Sequence, residues 1–253
     1  MIFDFIVNIF NFFLYFPLFN ALVLIYNYVP GHDFGISIII LTIVIRCILY
    51  PLSVKALQSQ KALQKLQPQL QEIQKKYKDD KEKQAKETLE LYKTEKINPF
   101  SGLFLALIQF PILIALYRVF WNGLNASELK YLYAIITNPM HVNAVFLHVI
   151  DLSKPNWIFA ILAGILQFFQ TKMLLPTPLP TAQSKDKKRE QDMAMMMQKQ
   201  MVYFFPFITI IILLRLPSAL GLYWMTSGIF SIIQQYFILR KSNKETQVQK
   251  LSS

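Results

Sequence analysis

The chain has 253 residues, of which 54% are hydrophobic, and its 26 Lys and Arg outnumber its 15 Asp and Glu to give a net charge of +11. A mean hydropathy of +0.34 excludes an ordinary soluble domain and predicts several membrane spans. The single cysteine, Cys47, excludes an intramolecular disulfide and a metal site built from several cysteines.

The N-terminal stretch 8–29 is apolar and contains no Lys or Arg, so it lacks the basic start of a secretory signal. The absence of positive charge permits this end to lie outside the cell. Pro17 splits the stretch into two pieces, each with polar residues along one side. These polar residues are Asn8, Asn11, Tyr15, Asn20 and Asn27. We expect a kinked helix at the outer membrane surface, with an additional span as the alternative.

Residues 36–53 form the first span of the predicted core, and one charge, Arg46, interrupts it. A guanidinium stays protonated and costs at least a few kcal/mol near a bilayer centre, so an intramembrane arginine predicts a function. The alternative is that Arg46 snorkels to the headgroups, because it lies about 10 Å from the Ser53 end of the span. Thr42 lies one turn away on the same helix face.

Residues 54–98 contain eleven Lys and seven acidic residues, which predicts a cytoplasmic segment. Apolar residues recur at alternating spacings of three and four, a heptad seam that predicts a helical hairpin. The seam consists of Leu63, Leu66, Leu70, Ile73 and Tyr77. We expect a kink or a restart at Pro68. The charges form either a solvated face or a contact with anionic lipid or ribosomal RNA.

Four more spans complete the predicted core. They are 100–121, 157–175, 202–216 and 218–239, with an outer loop at 122–156, a cytoplasmic loop at 176–201 and a basic cytoplasmic tail at 240–253. Counting Lys172 with the loop that follows it, the assigned cytoplasmic parts hold 21 of the 26 Lys and Arg, which supports this topology. Arg118, near the outer end of its span, is expected to snorkel. The prediction is an all-α polytopic membrane protein, one domain over 1–253, with a five-helix transmembrane core, a cytoplasmic helical hairpin and an N-terminal interfacial or additional spanning helix.

The five predicted spans contain no Asp, Glu or His. This argues against ion-coupled transport and leaves Arg46 without a carboxylate partner at its own depth. No catalytic or phosphate-binding motif is present, so neither an enzyme nor a metal or cofactor site is expected. Neutral polar residues at membrane depth instead predict a cavity around Arg46, formed by Thr42, Gln109, Gln167, Gln170, Ser227, Ser231 and Gln234. Such a cavity lowers the cost of bringing polar peptide into the membrane.

Several short motifs follow one another in a distinctive order. They are Thr42 to Arg46 with Tyr50-Pro51-Leu52, Leu66-Gln67-Pro68, Asn98-Pro99, Gln109 with Pro111, Pro217 to Trp224, and Gln234-Gln235. This order resembles the YidC/Oxa/Alb membrane protein insertase family, in its short bacterial form without a large periplasmic domain. The resemblance covers residues 12–240.

The resemblance implies an insertase and chaperone that moves nascent membrane proteins from the cytoplasm into the bilayer through a positively charged groove. It makes Arg46 the groove arginine and places Tyr223, Trp224, Phe110 and Ile112 on an apolar slide toward lipid. The hairpin seam becomes the capture element. Implied partners are nascent membrane proteins, the ribosome and lipids, but no DNA, with the Sec translocon and the signal-recognition-particle pathway as further candidates. The implied location is the bacterial cytoplasmic membrane.

Two other functions remain open from the residues. A solute or lipid transporter would use Arg46 as an anion site and open in turn to both sides of the membrane. A structural assembly subunit would tolerate Arg46→Ala with every substrate.

Overall fold

The computed structural model of the chain describes residues 2–122, 126–174, 200 and 202–251, so most of the predicted cytoplasmic loop 176–201 lies outside the described residues. The described chain is helical apart from two short strands in the loop that follows the sixth helix. Its α-helices are α1 Ile2–Phe10, α2 Phe16–Tyr28, α3 Phe34–Ile48, α4 Tyr50–Lys76, α5 Lys81–Thr94, α6 Ser101–Asn122, α7 Trp157–Met173, α8 Val202–Leu213 and α9 Ser218–Leu251. The strands β1 Val145–Phe146 and β2 Ile150–Asp151 pair antiparallel.

The chain forms two compact units where the sequence predicted a single domain. The first unit comprises Met1–Ile48 and Phe110–Gln234, and the second comprises Leu49–Gln109 and Gln235–Ser253. The division falls at Leu49, between α3 and α4, and within the long helices α6 and α9.

The N-terminal helix of the first unit begins at Ile2, six residues before the predicted start, and continues past Pro17. Pro17 lies in the first turn of α2, where its missing N–H is tolerated, and a π-helical turn at Asn11–Tyr15 joins α1 to α2. The stretch Asp4–Tyr28 is long and apolar enough to cross a membrane. Length and composition thus leave the choice between an interfacial and a spanning helix open.

Three of the other predicted spans, which correspond to α3, α7 and α8, are shorter in the structure, whereas α6 has the predicted length and α9 is longer. Within the described residues, α3 reaches the length of a span only together with α4. The apolar stretches Leu107–Trp121, Trp157–Met173 and Val202–Leu213 have between 10 and 17 residues each. That the core contains five membrane-spanning helices therefore stays a prediction.

Polar side chains of the N-terminal helix bond to the loop after α6. The Asn20 side chain donates to the Tyr131 carbonyl at 3.1 Å and accepts from the Tyr133 amide at 2.7 Å. Asn27 donates to the carbonyl of Thr137 at 2.7 Å. The polar side that the sequence shows on this helix therefore binds other parts of the protein.

Arg118 on α6 is held by the same helix instead of extending freely toward headgroups. Its guanidinium donates to the Asn11 side chain at 2.7 Å and lies 4.5 Å from the centre of the Tyr15 ring. The Tyr15 hydroxyl in turn donates to Glu128. This hydrogen bond and this cation–π contact, both made by residues more than 100 positions away, hold the side chain against the protein, and its depth in the membrane stays a prediction.

Asp33 joins the start of α3 to the β1–β2 turn. Its carboxylate accepts from the backbone amides of Ile36 at 2.9 Å and Leu147 at 2.6 Å. Leu147 and His148 adopt left-handed backbone conformations, with φ of 50° and 60°. They are the central residues of a turn closed by the hydrogen bond from the Val149 amide to the Phe146 carbonyl at 3.1 Å, and positive φ is costly for side chains other than glycine. The buried carboxylate thus caps a helix and stabilises a strained turn.

We expect Asp33→Ala to lower the free energy of unfolding by about 2–4 kcal/mol, because a helix cap and a charge-assisted hydrogen bond are lost together. Thermal unfolding of the purified protein, followed by circular dichroism, measures the change. Asp33→Asn is the matched control, since it keeps an acceptor oxygen and should lose less. Equal stability of Asp33→Ala and the unmodified protein would contradict this role.

Helices α7, α8 and α9 pack closely in the first unit. A Cβ atom on Gly164 would lie 2.5 Å from the Ile210 side chain, and one on Gly228 would lie 3.3 Å from Leu166. The start of α9 is bonded to the loop after α6, with the Ser218 amide donating to Lys154 O at 2.9 Å. The α8–α9 corner and this loop therefore lie on the same side of the unit.

The second unit contains the helical hairpin. Its first helix, α4, begins at Tyr50, four residues before the predicted hairpin boundary, with Pro51 in its first turn. It continues through Pro68 without the expected restart. Asp80 caps α5 by accepting from the Lys83 amide at 3.0 Å. Helix α9 continues past residue 239 to Leu251, so the described part of the predicted tail is helical.

Candidate functional site

Arg46 lies on α3 and is half-buried in the first unit. Its electrostatic neighbour is the phenol of Tyr223 on α9, a side chain that is only 3% exposed. Among the described residues, none forms an ion pair with Arg46. The structure thus places a cation beside a neutral hydroxyl group, and the Coulombic attraction of the guanidinium is not neutralised by a carboxylate.

One face of α9 continues from Tyr223 as a polar stripe. Ser227, Ser231 and Gln234 follow at spacings of four, four and three, and all three are buried. The Ser227 hydroxyl has no hydrogen-bond partner within the described structure. Because an unpartnered buried hydroxyl costs about 1–3 kcal/mol, this atom indicates a position for water or for a polar group of a bound chain.

Gln167 joins three helices through its side-chain oxygen. This atom accepts from the Trp224 indole N–H at 2.8 Å and from the Thr209 hydroxyl at 3.3 Å. The bonds connect α7 to α9 and to α8. Gln167 and Trp224 were predicted site residues, but Thr209 was not, although its hydroxyl interrupts the apolar stretch 202–216.

We expect Gln167→Leu to destabilise the protein by about 1–2 kcal/mol, because the Trp224 and Thr209 donors lose their acceptor. It should also change the tryptophan fluorescence of the folded protein. Gln170→Leu is the matched control, being the same change one turn further along α7. Thermal unfolding and emission spectra of both variants test this, and equal effects at the two positions would contradict it.

The remaining predicted groove residues differ in their burial and in the unit to which they belong. The Thr42 hydroxyl is buried and donates to the carbonyl of Ile38 at 2.6 Å, so its proton is used within its own helix. Gln170 is half-buried on α7. Gln109 belongs to the second unit, so its place beside Arg46 stays a prediction.

The structure does not bring the four predicted slide residues onto one exposed surface. Phe110 is 65% exposed, but Ile112 and Tyr223 are only 8% and 3% exposed. Trp224 is half-buried and bound to Gln167. Tyr223 lies beside Arg46. The slide role of these four residues stays a prediction.

The residues of the predicted capture seam are at least partly buried. Leu66 is buried, and the other four seam residues are half-buried. The Tyr77 hydroxyl donates to Glu87 of α5 at 3.5 Å, so the far end of α4 contacts the returning helix. Substrate capture by the seam stays a prediction.

Comparison with known proteins agrees with this arrangement. The family model described as 60Kd inner membrane protein matches residues 24–246. A membrane protein insertase YidC of Fusobacterium nucleatum is 36% identical over 209 residues, which cover 83% of this chain and 87% of that protein. A YidC of Syntrophus aciditrophicus is 36% identical over 228 residues, and this chain spans only 36% of its length.

A solved structure shows the same fold. The crystal structure of an active YidC insertase with its first transmembrane domain resolved is similar with a TM-score of 0.54 and 28% identity. The match covers 88% of this chain and 46% of that one. Helical architecture, sequence identity and family match lead to one conclusion: the chain belongs to the YidC family of membrane protein insertases.

Proposed function

We propose that the protein inserts nascent membrane proteins from the cytoplasm into the bilayer through a polar groove between α3 and α9. The observation that carries this proposal is Arg46, a half-buried cation that forms no ion pair with a described residue and lies beside Tyr223. A half-buried positive charge that no carboxylate neutralises attracts acidic groups of an incoming chain.

The polar stripe on α9 supplies the second part of the mechanism. An incoming segment must lose its hydration before it enters lipid, and an unpartnered peptide group costs several kcal/mol in hydrocarbon. The Ser227 hydroxyl offers a hydrogen bond to such a segment at a buried position. Arg46 and the stripe thereby lower the barrier for polar parts of the substrate, while its apolar parts move into lipid. The protein acts by binding and needs no chemical step.

The orientation in the membrane follows from the charges. The hairpin carries eleven lysines, so we place it in the cytoplasm, together with the loop 176–201 and the C-terminal end. Ribosomal RNA is a suitable partner for such a basic surface. The Sec translocon and the signal-recognition-particle pathway are further proposed partners at the bacterial cytoplasmic membrane.

The contacts of the N-terminal helix favour an interfacial position. Asn11, Asn20 and Asn27 bond to Arg118 near the end of α6 or to the following loop. Tyr15 bonds to Glu128 of this loop, and Tyr15 and Asn27 are separated by about 18 Å of helix, so one side of the helix follows the loop over about half of its length. A helix that crossed the bilayer would meet an outer loop only at one end. We therefore propose that this helix lies along the outer surface.

Reconstitution tests the proposed function. The purified full-length protein in liposomes should insert a small two-span membrane protein, measured as protease-protected fragments of the substrate. Empty liposomes give the background level. Protection equal to this background would contradict the proposal.

A further inference from the structure

A cavity of about 410 Å³ lies in the second unit, where the hairpin leads into α6. Its lining is mostly apolar, apart from two lysines, one asparagine and the hydroxyl of a tyrosine. The lining residues are Leu89, Tyr92, Lys93, Lys96, Ile97, Asn98, Pro99 and Phe100. All of them belong to one short continuous segment, so the end of α5 and the following turn build the cavity. The insertase mechanism does not use this site.

Lys96 has an unusual backbone conformation. It follows the last residues of α5 with φ of 53°, and the Ile97 amide donates to the Tyr92 carbonyl at 3.0 Å. This is a Schellman motif, in which the left-handed position is normally occupied by glycine. A lysine there costs stability that glycine would not. Backbone strain retained at a cavity is an indication of function.

The two lysines are available to bind an anion. Neither Lys93 nor Lys96 forms an ion pair with a described residue, whereas Lys83 of the same helix pairs with Asp80 at 3.3 Å. The nearest acidic residues in sequence, Glu90 and Glu95, do not line the cavity. The cavity therefore combines apolar walls with two positive charges.

An exposed apolar stripe extends from the cavity along α6. Phe100 lines the cavity, and Phe104 and Leu107 follow at helical spacing, each more than half exposed. The segment lies where a basic cytoplasmic hairpin meets a helix that enters the membrane. Apolar walls, two cations and a continuous lipid-facing stripe match the headgroup and acyl chain of an anionic phospholipid.

We propose that this cavity binds an anionic phospholipid of the inner leaflet. Lys93 and Lys96 contact the phosphate, and an acyl chain lies against Phe100, Phe104 and Leu107. The bound lipid fixes the base of the hairpin at the membrane surface.

Native mass spectrometry of the full-length protein with added phosphatidylglycerol or phosphatidylcholine tests this site. Phosphatidylglycerol should bind more tightly than phosphatidylcholine. The double variant Lys93→Gln with Lys96→Gln should lower the affinity of the tightest phosphatidylglycerol site about tenfold or more. Lys78→Gln with Lys86→Gln is the matched control, since it removes the same charge from the hairpin outside the cavity. This control should retain the tightest binding.

One substitution at Lys96 distinguishes a role in lipid binding from a role in the stability of the fold. Lys96→Gly should raise the melting temperature, because glycine relieves the backbone strain, and should weaken phosphatidylglycerol binding at the same time. Unchanged lipid binding in the Lys93 and Lys96 variants, or an equal loss in the control pair, would overturn the proposal. Displacement of the lipid by a soluble polyglutamate peptide or by inorganic phosphate would also overturn it, because the site would then recognise charge alone.

Discussion

Arg46→Glu should reduce insertion of a small two-span substrate with acidic outer segments by at least tenfold. The reversal of charge replaces attraction by repulsion, and two charges 4 Å apart interact by about 4 kcal/mol at a typical protein dielectric. Arg46→Lys should keep most of the activity, because an ammonium supplies the same charge. Arg46→Ala should fall between these variants and affect acidic substrates most. Protease protection in membranes that contain only the variant measures each effect.

Arg215→Glu is the matched control for this series. Arg215 is an exposed arginine at the α8–α9 corner, away from the polar stripe of α9. Its reversal changes the net charge of the protein by the same amount and should leave insertion near the unmodified level. Equal losses at positions 46 and 215 would show that total charge matters and not the groove.

Gly35→Ala should lower the free energy of unfolding by about 1–3 kcal/mol, although alanine normally favours a helix. A Cβ atom on Gly35 would overlap the ring of Phe146 and lie 2.7 Å from the Phe146 Cβ. The added methyl group therefore forces Phe146 away from α3. Asp33 holds the next residue, Leu147, so the turn has little freedom to adapt.

A double-mutant cycle separates this clash from other effects. Phe146→Ala removes the ring but keeps the Cβ atom, so adding Gly35→Ala to that variant should cost less stability than it costs in the unmodified protein. Thermal unfolding of the unmodified protein, the two single variants and the double variant gives the coupling free energy between positions 35 and 146. Gly228→Ala in α9 is a second comparison, because its new Cβ would meet only the Leu166 side chain at 3.3 Å or beyond. Additive effects of Gly35→Ala and Phe146→Ala would contradict the packing explanation.

Much of the candidate site follows from the sequence because helical spacing and hydropathy are local properties. The burial of Ser227, Ser231 and Gln234 along one side of α9 agrees with their spacing, and Arg46 is conspicuous in an apolar stretch. The direct bond between Gln167 and Trp224 was beyond prediction. Spacing places residues on a helix face but does not say which helices are neighbours.

Where the structure differs from the predictions, the reason is again that local sequence does not reveal tertiary contacts. Pro68 was expected to kink or restart a helix, and α4 continues through it without a restart, because local chemistry alone does not decide whether the tertiary structure accommodates the proline. Arg118 was expected to reach headgroups, yet its partners Asn11 and Tyr15 lie more than 100 residues earlier. The family resemblance implied an apolar slide position for Tyr223, and only the fold brings its phenol beside Arg46.

Site-specific photo-crosslinking tests most directly whether substrates pass between α3 and α9. A photoreactive residue at position 227, with Arg46 intact, is combined with a ribosome-stalled nascent chain that carries an acidic segment before its first span. Position 207, exposed on α8, provides the comparison. We predict crosslinks from position 227 that weaken strongly when Arg46 is replaced by alanine. Crosslinks from position 207 but none from 227, or crosslinks from 227 that do not depend on Arg46, would contradict the groove mechanism.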